Sequence, residues 1–269
     1  MRAAVYPLLL ALALAPWVSA QEPVPAGMVL IPAASDPAQT AQPTPEPVGA
    51  FYLDIYPVTN GEYLEFVRAN PAWQRSNVKR LMADARYLQH WAGDLELGAA
   101  AEELNRAPVT HVSWFAARAY AAWKGARLPT LAEWELAAAA SATQPNGDKE
   151  PGFRERILAW YARPTPPIPA SVDLTEENYY GVRGMHGLVW EWVGDFNSDL
   201  MGIDSRGGAS GDGPLFCGGG GAVDGDRTDY AAFMRRALRG SLKGSYCLTS
   251  LGFRCARELT AVPINPSQL

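Results

Sequence analysis

The distribution of apolar residues along the chain predicts a few short strands. Met28–Ile31 is an apolar run, and Phe51–Asp54 is apolar up to its last residue. Both have the length of strands rather than helices. Leu215–Cys217 and Leu251–Arg254 have the same character nearer the end of the chain.

Capping residues followed by apolar faces of helical spacing predict three helices. Thr59 or Asn60 can cap the first, Ser113 the second and Thr130 the third, where a glutamate three residues later completes a capping box. Gly125 is expected to end the second helix. The apolar faces are Tyr63, Phe66 and Val67, then Ala116, Ala119, Tyr120 and Trp123, then Trp134, and Phe153–Tyr161 also has helical character. Their aromatic residues are interpreted as core.

Much of the remaining sequence favours irregular backbone. The Pro-rich segment 32–47 is expected to run extended along the surface, and residues 141–178 are also rich in proline. Glycine is dense at 207–208 and 218–221, which indicates irregular backbone or tight strand packing. Short strands, few long helices and much ordered loop together predict an α+β fold.

Residues 1–20 have the pattern of a secretory signal peptide. Arg2 precedes about 13 apolar residues, and the run 18–20 fits cleavage after Ala20. A membrane anchor is the alternative, but a bilayer-spanning helix takes about 20 apolar residues. No later segment is expected to span a membrane. The expected product is a periplasmic or secreted protein of one domain, residues 21–269.

Composition argues against two classes of partner. The net charge is −5 and the chain has no basic run, so neither nucleic acid nor anionic lipid is an expected partner. Cys217, Cys247 and Cys255 are an odd number of cysteines for an exported chain. One disulfide with one thiol left over is the simplest arrangement, and that thiol is free, intermolecular or a ligand.

The histidines give little support for a zinc or iron centre. His90, His111 and His186 lack the spacing of zinc or iron ligands, so structural or surface roles are favoured. A polar cleft is one interpretation of the charged cluster, and a solvated face is the favoured one. The cluster consists of Asp195, Asn197, Arg227, Asp229, Arg235, Arg236 and Arg239.

Three runs in fixed order, Ala126–Ala138, Gly187–Val193 and Leu251–Arg257, resemble the signature of the formylglycine-generating enzyme family, also called the sulfatase-modifying factor family. The resemblance covers essentially the chain after the signal peptide. It implies a large variant of the C-type-lectin-like fold, in which irregular segments wrap a small sheet and two helices. It also implies an oxygen-dependent oxidase whose two cysteines bind copper(I).

The cysteine pair of the family's oxidases is missing from this chain. Soft thiolates suit copper(I), and alignment by the resemblance places the pair near Asp226 and Ala231, neither of which is a cysteine. Cys255 aligns with a structural cysteine of the family whose usual partner is replaced within 136–138. The resemblance then makes Cys217 the first choice as its disulfide partner. Cys247 remains as a small buried residue or as a functional thiol.

The resemblance also implies a weakened calcium site beside the Trp-Glu-Trp run. Glu191 and the carbonyls of Gly187 and Val189 are available as ligands, but the fourth position is Gly184, which has no side-chain oxygen. Calcium takes six to eight oxygens, so water or a carbonyl would have to substitute. The alternative is that Glu191 pairs with a buried arginine or a backbone N–H.

Residues 141–166 and 186–198 resemble an exported branch of the family, NirV-like, that is encoded beside copper nitrite reductase in denitrifying bacteria. The leading hypothesis is an accessory or maturation factor for a periplasmic client, which includes copper nitrite reductase. One alternative is a metal-dependent oxidoreductase with an altered centre, in which Cys247 or Cys217 is the ligand or redox thiol and copper is the cofactor. The other is a glycan-binding module, which follows from the lectin-like fold alone.

Overall fold

The computed structural model describes residues 23–34, 47–196 and 230–259. The predicted signal peptide with its cleavage site, most of the Pro-rich segment, the strand Leu215–Cys217 and the glycine-dense segments lie outside these residues. Their predictions stay predictions.

The regular structure of the described residues consists of short strands and helices joined by long irregular connections. The elements are β1 (Met28–Ile31), β2 (Phe51–Asp54), α1 (Asn60–Ala69), α2 (Ala101–Asn105), α3 (Trp114–Trp123), α4 (Leu131–Ala138), α5 (Phe153–Tyr161), β3 (Trp190–Trp192), α6 (Tyr230–Ser241), β4 (Leu251–Phe253) and β5 (Ala256–Glu258). Mixed helix and strand content with few strands is consistent with the predicted α+β class.

Hydrogen bonds at the helix starts confirm the predicted caps. The Thr59 hydroxyl accepts the N–H of Glu62, and the Glu62 carboxylate accepts the N–H of Thr59, so α1 begins with a capping box. Thr130 and Glu133 form the same box at α4, and the Ser113 hydroxyl caps α3. Each cap contributes about 1 kcal/mol to stability, and each fixes where a helix enters the core.

Helix α3 departs from the prediction at its last residue. Ala116 and Tyr120 are buried as expected, and Gly125 follows the helix with a φ of 65°, a left-handed conformation suited to glycine. Trp123, however, is 43% exposed, so the prediction that it is buried is wrong. Its ring lies 5.7 Å from that of Phe66 and leaves much of its surface to solvent.

Two small sheets meet near one segment of chain. Strands β1, β2 and β5 form an antiparallel sheet in that order, and β3 pairs with β4 in parallel. Glu191 lies opposite Gly252 in this pair, where a Cβ would lie only 2.6 Å from the carbonyl oxygen of Val109. Only Arg254 and Cys255 separate β4 from β5, so they lie where the two sheets meet.

The core is aromatic where α1 and α3 meet β4. The rings of Tyr63, Phe66, Tyr120 and Phe253 lie 5.3–6.1 Å apart between centroids, and all four are buried. This confirms the predicted core role of Tyr63, Phe66 and Tyr120. A second apolar cluster packs Trp134 of α4 beside β1 and β2. Among the described residues, no helix is both long enough and apolar enough to cross a bilayer.

Candidate functional site

Glu191, the central residue of β3, points into the protein interior. Its Oε2 accepts the Nε–H of Arg254 and the indole N–H of Trp134, each at 2.8 Å. Its Oε1 accepts an Nη2–H of Arg254, also at 2.8 Å. The side chains of Glu191 and Arg254 have no exposed surface. The carboxylate thus has three donors and a matched positive charge, which is the pairing that the sequence left as an alternative to calcium.

Arg254 uses its remaining N–H groups on main-chain carbonyls. Nη1 donates to the carbonyls of Asp54 and Ile55 at 3.2 and 3.4 Å, and Nη2 donates to the carbonyl of Arg183 at 3.0 Å. A buried guanidinium is tolerated only when its charge and its hydrogen bonds are both satisfied. Arg254 therefore joins β2, the connection before β3 and β3 itself.

The other residues of the predicted calcium site are Gly184, Gly187 and Val189. Gly184 and Gly187 line a cavity of about 310 Å³, whereas Val189 is buried. A Cβ on Gly184 would lie 2.7 Å from Cδ1 of Leu188. The leucine side chain thus occupies the space in which a ligand side chain at position 184 would begin.

As arranged, these residues do not fit a calcium ion. Glu191 is neutralised by Arg254, Gly184 supplies no side-chain oxygen, and the apolar Leu188 packs over it. Calcium takes several oxygens with net negative charge. Among the described residues, no group of three or more His, Cys, Asp or Glu side chains is placed to hold a metal. The calcium site stays a prediction.

A second buried carboxylate, Glu135 of α4, holds helix α6. Arg235 donates to it through Nε at 2.9 Å and through Nη2 at 2.7 Å, and Arg239 donates through Nη1 at 2.9 Å. Arg235 also donates to the hydroxyl of Tyr161 on α5 at 3.2 Å. Burial raises the pKa of Glu135, but the two guanidinium groups outweigh it and lower the pKa to about 2.

This cluster corrects the prediction of a solvated face. Arg235 and Arg239 are buried, because Glu135, which lies 100 and 104 residues earlier in the chain, supplies their counter-charge. The four-residue spacing of the two arginines places them on one face of a helix. From this spacing, a shared partner for the two side chains could have been predicted. Asn197, Arg227 and Asp229 of the predicted cluster lie outside the described residues.

The two cysteines that the structure describes are poor thiolate sources. Burial, together with the negative charge of the nearby Asp84, raises the pKa of Cys247 to about 12. Oδ2 of Asp84 also accepts the Cys247 N–H at 3.3 Å. Burial likewise raises the pKa of Cys255 well above its usual value. Ala231 is a buried residue of α6. Cys217, which is the predicted disulfide partner of Cys255, and Asp226 lie outside the described residues, so the disulfide stays a prediction.

A stacked pair of histidines has no signature in the sequence. The rings of His90 and His111 lie 4.9 Å apart, although no motif spacing relates them. His90 Nε2–H donates to Oδ1 of Asn60 at 2.9 Å, since the Asn60 amide N–H groups already donate to the carbonyls of Ala107 and Pro108. Burial lowers the pKa of His90 to about 3. The imidazole stays neutral at physiological pH, as expected of a structural histidine.

Comparison with known proteins places these features in a family. The model of the sulfatase-modifying factor enzyme 1-like domain matches residues 18–259. The chain is 32% identical over 191 residues to a formylglycine-generating enzyme of Thermomonospora curvata, which is 63% of this chain and 61% of that protein. It is 32% identical over 195 residues to the inactive C-alpha-formylglycine-generating enzyme 2 of Bos taurus, 54% of this chain and 60% of that protein.

A solved structure, PvdO from Pseudomonas aeruginosa, is similar over 86% of this chain and 94% of that chain, with a TM-score of 0.44 and 20% identity. The chain spans between 23% and 61% of the length of the curated relatives that it matches.

Proposed function

The chain belongs to the sulfatase-modifying factor enzyme 1-like domain family, and within this family we propose that it is an exported accessory or maturation factor rather than an oxidase. The client that we propose is a periplasmic metalloprotein, with copper nitrite reductase as the first to test. We also propose that the domain has the C-type-lectin-like architecture that the resemblance implies.

One observation carries this proposal: the positions near 226 and 231, to which the family resemblance assigns the oxidase cysteines, hold no thiol. Position 226 is an aspartate and position 231 is an alanine buried in α6. Thiolates, not thiols, bind copper and attack substrates, and burial raises the pKa of both Cys247 and Cys255. A family relative that is named inactive supports the view that this domain also serves without the oxidase reaction.

The first experiment tests for the loss of oxidase chemistry in the full chain purified from a periplasmic fraction. Copper(I) titration and oxygen consumption with dithiothreitol are measured for the unmodified protein and for Cys247→Ser. We expect no tight copper binding and no oxygen consumption in either protein.

N-terminal sequencing of the same sample tests cleavage after Ala20.

The second experiment tests the client. Copper nitrite reductase is produced in the periplasm with and without this chain, and the copper content and nitrite-reducing activity of the reductase are measured. We expect lower copper content without the chain and full recovery with Cys247→Ser. Equal copper content in both strains would reject this client.

A relative named formylglycine-generating enzyme favours one competing function, an oxidoreductase with an altered copper centre. In that case Cys247 or Cys217 would be the ligand or redox thiol. Copper binding and oxygen consumption that disappear in Cys247→Ser would establish this function and overturn the accessory proposal.

A further inference from the structure

A cavity of about 300 Å³ lies between the end of β2, the first turn of α1 and the C-terminal end of α3. This volume is at the lower limit of small-molecule sites. Its lining includes two carboxylates, Asp54 and Glu62, and two cations, Lys124 and Arg257. We infer that this cavity binds a small zwitterionic amine of the size of a free amino acid. This inference is independent of the proposed accessory function.

Both carboxylates are anchored by hydrogen bonds from neighbouring residues. Oδ2 of Asp54 accepts the N–H of Cys255 at 2.7 Å, and Oε2 of Glu62 accepts the N–H and the hydroxyl of Thr59 at 2.9 and 2.8 Å. Within the described part of the chain, no N–H donates to Oδ1 of Asp54 or Oε1 of Glu62. The Cys255 thiol also hydrogen-bonds to the Asp54 carboxylate, so Oε1 of Glu62 is the unused acceptor. Two fixed carboxylates side by side are suited to an ammonium group, which donates up to three hydrogen bonds.

Lys124 and Arg257, which line the cavity, are suited to the carboxylate end of a zwitterionic ligand. Arg257 donates through Nη2 to the carbonyl of Lys124 at 3.0 Å, but its buried Nε–H has no acceptor within the residues described. Neither side chain forms an ion pair with a described carboxylate. Both side chains belong to residues that line the cavity, so their positive charges favour a ligand carboxylate at this end. Two cations beside two carboxylates therefore favour a zwitterion over a simple amine.

The charge of Asp54 makes this recognition sensitive to pH. Burial raises the pKa of Asp54 to about 7, and the nearby Glu62 contributes, against the lowering effect of the Cys255 N–H and Arg254. Below this pKa the carboxyl is neutral and attracts an ammonium group weakly, so ligand affinity should rise with pH through 7. The titratable or charged groups around Asp54 are Tyr56, Glu62, Tyr120, Lys124, Arg254, Cys255 and Arg257.

Three probes of matched size separate the two ends of the ligand. L-Alanine carries both charges, ethylamine lacks the carboxylate and propionate lacks the amine. Calorimetric titration of the full chain at pH 8 should give L-alanine binding, with ethylamine and propionate each at least about tenfold weaker. Lowering the pH to 6 should weaken the binding of L-alanine. Absence of L-alanine binding, or equal binding of ethylamine or propionate, would overturn the inference.

Variants locate the binding in this cavity. Glu62→Gln keeps the capping box, since glutamine serves at that position, and Asp54→Asn keeps an acceptor for the Cys255 N–H. Each should weaken L-alanine binding about tenfold or more, and Asp54→Asn should also remove the pH dependence. Glu65→Gln, on the same helix but exposed and paired with Arg68, is the control and should bind normally.

Normal L-alanine affinity in both Glu62→Gln and Asp54→Asn would overturn the inference. Thermal unfolding shows whether each variant is folded. If a variant is unfolded, the comparison of the three probes on the unmodified protein decides the question.

Discussion

The side chains of Glu191 and Arg254 form an ion pair and have no exposed surface. Each charge is therefore neutralised by the other. Taking two ions out of water is costly, and the cost is offset only while both partners and their hydrogen bonds are present. The pair therefore specifies how β3 and the β4–β5 junction fit together. Loss of either partner should lower the free energy of unfolding.

Replacing Glu191 by glutamine should lower the free energy of unfolding by about 3–5 kcal/mol, because Arg254 would remain as an unpaired buried charge. Urea denaturation measures the loss. Glu177→Gln is the matched control: it removes a carboxylate that pairs with Arg183 and is 54% exposed, and it should cost less than about 1 kcal/mol.

Similar losses in Glu191→Gln and Glu177→Gln would contradict the structural role of the buried pair. The double variant Glu191→Gln with Arg254→Met extends the test. It should be more stable than the sum of the two single losses predicts, because the two side chains interact directly.

Cys247 should react slowly with iodoacetamide in the folded protein at pH 8, because burial and Asp84 raise its pKa to about 12 and only the thiolate is nucleophilic. Intact mass after timed alkylation measures the rate. The same protein in urea is the control and should react readily at this position. Equal rates in the folded and the unfolded protein would show that Cys247 is an accessible thiol.

At the scale of elements, buried ion pairs join α6 to α4. Arg235 and Arg239 meet Glu135 on α4, and Arg235 also reaches Tyr161 on α5. The ring of Trp134 lies 4.8 Å from the Arg239 guanidinium, which adds a cation–π contact. One carboxylate thus holds α6 through two arginines, so its protonation should loosen this helix.

Acid should release α6 through Glu135. Its pKa in the folded protein is about 2, against an ordinary value of 4.5, so its contribution to stability is complete above about pH 4.5 and is lost as the pH falls toward 2. The difference corresponds to about 3 kcal/mol. Hydrogen exchange of the α6 amides between pH 6 and pH 2 measures it.

The variant Glu135→Gln should be less stable at pH 7 and should lack this part of the acid dependence, whereas the exposed Glu65→Gln should behave like the unmodified protein. Protection of the α6 amides that persists unchanged down to pH 2 would contradict the assignment.

At the scale of the whole molecule, the Arg254 guanidinium is a positive group that contacts several segments of the chain. It binds Glu191 and also the carbonyls of Asp54, Ile55 and Arg183. Three separate parts of the chain therefore converge on one positive group that belongs to the protein. Arg254 itself therefore links these parts of the described fold.

Removal of calcium should leave the melting temperature unchanged, because Arg254 already neutralises Glu191. Thermal unfolding is compared in EDTA, in calcium chloride and in magnesium chloride, the last as a control for ionic strength. A melting temperature that rises with calcium but not with magnesium would show instead that the weakened calcium site is used.

Local signals in the sequence determined the positions of several helices. Thr59, Ser113 and Thr130 each cap a helix as the sequence predicts, and the helix Phe153–Tyr161 has the predicted bounds. A cap and its first turn lie within four residues of each other, so the information is present in a short stretch. The three family runs carried the family assignment in the same way.

Only the tertiary structure decided which charges are buried and what they meet. The sequence favoured a solvated face for Arg235, left two partners open for Glu191 and contained no sign of the cavity beside Asp54 and Glu62. Partners such as Arg235 and Glu135 are 100 residues apart. Burial, pKa and ion pairing depend on distances between such remote segments, whereas caps and apolar spacing depend on near neighbours in the chain.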